Sequence, residues 1–115
     1  MHYARIVLAA LTVGGSALAA PPEPRRIEVV ARKFAFEPAR LEVKVGEPVE
    51  ITFTSVDTKH GFACKELGLA KVVFGKGDPA TVRLTATKPG TYGFKCARFC
   101  GLGHGKMKGE IVVFP

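Results

Sequence analysis

At 115 residues, 47% of them hydrophobic, the chain is long enough for one modest hydrophobic core and too short for two. Seventeen basic residues against ten acidic ones give a formal charge of +7; in a cytosolic chain this would admit nucleic acid as a partner, but the export signal described next excludes it and leaves anionic protein faces or membrane headgroups. Three cysteines are an odd number for an exported chain, so either a disulfide leaves one thiol over or a metal holds them.

The first element is that signal. Arg5 lies in a short n-region, an apolar run follows from Ile6 to Val13, and small residues end at Ala17-Leu18-Ala19, which predicts cleavage after Ala19 and a signal peptide over 1–19. The run is shorter than the ~20 residues a membrane-spanning helix needs, so no membrane span is expected after cleavage, and the product is expected in the periplasm or otherwise exported. Beyond Ala19 there are 16 basic and 10 acidic residues, a formal +6. Residues 20–26, rich in proline and charge, form a short leader. Order is expected to begin near Ile27, and 27–115 constitute one domain.

From Ile27 onward short alternating segments are broken by glycine and proline. Ile27, Val29 and Ala31 share one face; so do Leu41, Val43 and Val45, stopping at Gly46, as period-2 alternation requires of strands. Val49, Ile51 and Phe53 alternate with Glu50, Thr52 and Thr54, and Val82, Leu84 and Ala86 with Thr81, Arg83 and Thr85. Pro89-Gly90 marks a turn, after which Tyr92, Phe94 and Cys96 face one way. Met107, Gly109, Ile111 and Val113 lie on one face of a last strand. The segments 34–38 and 75–79 read as connections. About seven strands predict an all-β fold, a Greek-key antiparallel β-sandwich.

The chemistry is concentrated in the loop Lys95-Cys96-Ala97-Arg98-Phe99-Cys100-Gly101-Leu102-Gly103-His104-Gly105-Lys106-Met107. Thiolate, thioether and imidazole together suit copper, Cu(I) above all, whereas hard ions want carboxylates, and the loop holds no acidic residue. A second imidazole, His60, follows the strand ending near Thr54, where pairing could bring it to the same end of the sandwich.

Cys-x3-Cys-x3-His-x2-Met, preceded by Pro-Gly-Thr-Tyr-x-Phe-x-Cys and by an upstream Asp-x-x-His, resembles the CuA domain of cytochrome c oxidase subunit II and nitrous oxide reductase, a cupredoxin. The resemblance implies that Cys96 and Cys100 bridge two copper ions, that His60 and His104 each bind one, that Met107 is a weak axial ligand, and that the backbone carbonyl of Arg98 completes the set. It further implies a one-electron carrier that turns over no substrate. The chain looks like a stand-alone soluble version of that domain. Arg98 stands where oxidase subunits generally place an acidic residue, Lys95, Lys106 and Lys108 are nearby, and there is no tryptophan. The redox protein partner is therefore expected to offer an acidic docking face rather than a basic one.

Other readings of the same residues remain. Cys96 and Cys100 could form a disulfide, although that would leave His104 and Met107 without a role. Two cysteines and two histidines could hold zinc, which has no use for Met107. A copper chaperone or copper-tolerance protein, with a single ion at a mononuclear site, is the alternative from another functional class. Covalent haem is excluded by the lack of Cys-x-x-Cys-His. Cys64 reads as a buried thiol facing the same way as Phe62.

Overall fold

A computed structural model describes residues 23–115; the signal peptide and its cleavage point lie outside the described residues. The alternating segments become nine strands among those residues: β1 (Arg25–Arg32), β2 (Ala35–Glu37), β3 (Arg40–Lys44), β4 (Val49–Ser55), β5 (His60–Cys64), β6 (Leu69–Phe74), β7 (Ala80–Leu84), β8 (Gly90–Lys95) and β9 (Lys108–Phe114). They form two sheets, ordered β2-β1-β4-β7 and β3-β9-β8-β5-β6. The all-β sandwich expected from the sequence is the fold observed. Among these residues no helix is long and apolar enough to cross a membrane.

Three details differ from expectation. Two strand pairs, β1 with β4 and β3 with β9, are parallel, so the sandwich is mixed rather than wholly antiparallel. The chain leaves β1 and β2, crosses to the other sheet for β3, and returns beside β1 as β4; such a return between layers can restore the original direction, which a hairpin cannot. Phe36, within the segment read as a connection, lies in β2, a strand of three residues and too short to show a period. Finally, β1 begins at Arg25, two residues ahead of Ile27, because the Arg25 N–H donates to the Pro48 carbonyl at 3.0 Å.

The inward faces meet as expected. In β4 the burial alternates strictly, with Val49, Ile51, Phe53 and Ser55 inside. Phe53 stacks on Phe62 of the opposite sheet at 4.4 Å, Phe62 lies 5.2 Å from Phe94, and Phe94 meets Phe36 edge-on at 5.1 Å. Each such ring contributes roughly 1.5–3 kcal/mol by leaving water, with ~0.5–1.5 kcal/mol more from aromatic pairing.

This frame brings the chemical residues to one end. Lys95 at the end of β8 pairs with Lys108 at the start of β9 and with Ala63 in β5. Just beyond the ladder, the Cys96 N–H donates to the Met107 carbonyl at 2.9 Å. That bond closes the 97–106 loop at its neck, so Cys96 and Met107 are held by strand geometry and not by the loop itself.

Candidate metal centre

All six expected positions converge. The Cys96 and Cys100 Sγ atoms are 3.7 Å apart. His60 Nδ1 lies 4.0 Å from Cys96 Sγ, and His104 Nδ1 lies 3.5 Å from Cys100 Sγ. Met107 Sδ is 3.8 Å from Cys100 Sγ, and Cys96 Sγ donates to the Arg98 carbonyl at 3.1 Å. Donor atoms of His60, Cys96 and Cys100 all fall within 4.8 Å of one another, and all three residues are buried. His104 is partly exposed, so the cluster reaches solvent through that imidazole.

The donor chemistry can be tested without an ion. A gap of 3.7 Å is far longer than an S–S bond of ~2.05 Å, so the thiols stand side by side and unbonded. Two sulfurs with two imidazoles and a thioether suit copper. Zinc would use two cysteines and two histidines but would leave Met107, itself almost wholly buried, unexplained at the same point. In the metal-free protein burial pushes the Cys100 thiol up to about 11, helped by its hydrogen bond to Cys96 and by that thiol's charge. Loading a metal therefore displaces protons.

The supports around the donors carry as much of the geometry. His60 begins β5, and its Nε2 bonds Asp57 Oδ1 at 2.8 Å. That contact places the proton on Nε2 and turns the Nδ1 lone pair toward the sulfurs. Asp57 is itself fixed by the N–H groups of Lys33 at 2.8 Å and Thr58 at 2.6 Å. Burial pushes its carboxyl up, but those two N–H groups and His60 outweigh it and hold the carboxyl at about 2. Asp57 was visible in the sequence only as part of Asp-x-x-His, with no role of its own; its position three residues before the histidine was the available signal.

Two further residues close the site from either side. Gly61 donates its N–H to Cys96 Sγ at 3.5 Å, and a Cβ there would stand 2.9 Å from the Arg98 nitrogen; only glycine lets β5 approach the cysteine loop this closely. Phe34 lies over that loop, where a Cβ on Gly101, whose φ is +138°, would meet its ring at 3.0 Å. Cys64 stays apart, as the sequence suggested: it is fully buried and its thiol donates to the Gly93 carbonyl at 3.4 Å. Burial pushes this thiol up, only partly offset by the Leu67 N–H.

A two-layer β-sandwich that gathers soft donors from adjoining loops at one end defines a class of small metalloproteins. The family model described as a cupredoxin-like domain matches residues 4–113, and the chain belongs to that family. It is 37% identical over 92 residues to cytochrome c oxidase subunit 2 of Thermus thermophilus, covering 80% of this chain and 67% of that protein, and only 54% of a second sequence of that name and species. It is 28% identical over 94 residues to nitrous-oxide reductase of Stutzerimonas stutzeri, covering 78% of this chain and 15% of the reductase. Among solved structures, a chain of a heme-copper terminal oxidase dimer superposes with a TM-score of 0.68 at 33% identity, over 77% of this chain and 64% of that one. Family membership together with the buried His/Cys/Cys cluster supports copper binding and electron transfer.

Proposed function

We propose that the protein is an exported, periplasmic one-electron carrier that holds two copper ions in a CuA-like centre. Cys96, Cys100, His60 and His104 would hold the pair, with the Met107 thioether and the Arg98 carbonyl as weaker donors. One observation carries this reading: each of two thiols 3.7 Å apart has its own imidazole, Nδ1 inward, at 4.0 and 3.5 Å. A mononuclear copper site would use both imidazoles and Met107 but only one of the two thiols, so the second cysteine is what the binuclear reading explains.

When bound, the copper pair supplies one-electron redox chemistry. The chain's own residues restrict rearrangement around it. Asp57 fixes the His60 ring, the Cys96–Met107 backbone bond fixes the neck of the loop, and the strands on either side hold both against relaxation. His104 connects the buried sulfurs to the surface. On this reading the protein passes one electron between partners and turns over no substrate.

The test is metal analysis with electron paramagnetic resonance on purified, copper-loaded protein, alongside the Cys100→Ser variant. A binuclear centre gives about two coppers per chain, a purple colour and hyperfine coupling shared over both nuclei; Cys100→Ser reduces this to about one copper with coupling to a single nucleus. One colourless copper readily removed by chelators from the parent protein would instead establish the chaperone or tolerance reading. An unchanged spectrum in Cys100→Ser would remove that cysteine from the bridge.

A further inference from the structure

Beside the cluster, on the outer face of the sheet formed by β8, β5 and β6, lies a cavity of about 490 Å³. It is lined by the apolar Ala63, Leu69 and Ala97, by Lys65, Lys71 and Lys95, and by Cys96 and His104 of the donor cluster. No acidic residue lines it, and none of the three lysines is among the ion pairs of the described residues. The ion pairs of the described residues are made by arginines and His60, none by a lysine; what sets these three lysines apart is that they line one cavity in which no carboxylate faces them. Three unpaired ammonium groups lining one cavity form a concentrated positive field.

Apolar contact area continues past the cavity. The Phe99 ring sits 5.6 Å from that of His104 and is 67% exposed, while Leu102 on the same loop is fully exposed. Large apolar side chains left in water beside a charged rim mark a protein contact surface. His104 belongs to both features: one side of its residue lines the cavity, and its Nδ1 is 3.5 Å from Cys100 Sγ.

From this arrangement we propose that the lysine-lined cavity is the docking site of an acidic redox partner, which inserts one or more Asp or Glu side chains between Lys65, Lys71 and Lys95 and covers Phe99. Building on the electron-carrier reading, it goes further by locating the partner's contact on the flank of the sheet beside His104. Carboxylates in the cavity set the orientation and accelerate encounter, and the apolar contact over Phe99 expels water next to the imidazole. Lys65 and Lys71 lie outside the copper loop, so loop chemistry alone would not have indicated them.

The probe is a soluble peptide with a Glu-Glu-Leu-Glu-Glu core, titrated into 15N-labelled, metal-free protein and followed by amide chemical shifts. This readout needs no copper, so its result is independent of whether the centre is binuclear. Saturable shifts at 63–71, 95–97 and 104 are expected, weakened by salt. Lys65→Glu, Lys71→Glu and Lys95→Glu combined should lower the peptide's affinity on the order of tenfold or more, whereas reversing Lys44 and Lys88, exposed at the opposite end of the strands, should change it less than about twofold. If the triple reversal fails to fold, Lys→Gln at the same positions gives the same comparison with a smaller loss. Shifts spread over the whole basic surface, equal losses from both sets of reversals, or succinate competing as well as the peptide would each overturn the proposal, the last by making the cavity a small-anion site.

Discussion

Gly61→Ala adds one methyl group at the point where β5 runs closest to the cysteine loop. The new Cβ stands 2.9 Å from the Arg98 nitrogen, 3.0 Å from the Ala97 carbonyl carbon and 3.2 Å from the Arg98 Cβ, where ordinary contact begins at 3.4 Å. Two of these three atoms are backbone, so rotating a side chain cannot relieve the clash, and the strand and loop must separate by about half an ångström. Overpacking of this kind costs ~1–3 kcal/mol. In a domain of this size that lowers Tm by roughly 5–20 °C. Gly93→Ala is the matched control, since a Cβ there meets nothing within 4 Å and its φ is not positive; its Tm should move by less than about 3 °C. The separation also pulls His60 from Cys96, now 4.0 Å from its Nδ1, so copper affinity should fall on the order of tenfold, or ~1.4 kcal/mol. Thermal unfolding of the metal-free proteins and competition with a Cu(I) chelator measure the two effects. If Gly61→Ala and Gly93→Ala melt together and hold copper alike, close approach of β5 to the loop does not build the site.

Asp57→Asn tests the tether on His60. The carboxylate's folded value is lowered to about 2 from 3.8, so its contribution is fully present above pH ~4 and disappears as pH falls toward 2. With a third of the side chain exposed, solvent screening leaves on the order of 1 kcal/mol. In urea unfolding, the gap between parent and Asp57→Asn should close by about that amount between pH 5 and 2; a gap independent of pH would refute the ionised tether. Cys64→Ala should cost ~1 kcal/mol for the small void and leave copper stoichiometry unchanged, and a change in bound copper would bring Cys64 into the site. Phe34→Ala should speed hydrogen exchange at 101–104, where its ring meets Gly101 and Gly103, and lower stability by ~1–3 kcal/mol; unchanged exchange would mean that the ring does not hold the loop.

The strands of this protein are written locally. In β4 the inward positions Val49, Ile51 and Phe53 are apolar, with Ser55 closing the strand, and in β9 Ile111 and Val113 face inward, so a two-residue period can be read from the sequence of each strand. The donor loop is equally legible, because Cys96, Cys100, His104 and Met107 lie within one short span and their chemistry belongs to the residue types themselves. Where strands are short or lie at an edge the pattern fades: β2 has three residues, and β6 buries only Phe74 fully.

Tertiary structure alone decided which strands became neighbours, and with them the rest of the site. Val29 beside Phe53 in a parallel pair, His60 against a cysteine 36 residues later, and Lys65 and Lys71 across a cavity from Lys95 are contacts between distant segments. A side chain's local alternation states which face it occupies but not what will cover that face. That choice is made when the two sheets close over their shared aromatic core, since the pairing observed buries Phe36, Phe53, Phe62 and Phe94 together. The same closure brings Asp57 to His60 and Gly61 to Arg98, turning a list of donors into a site with fixed geometry.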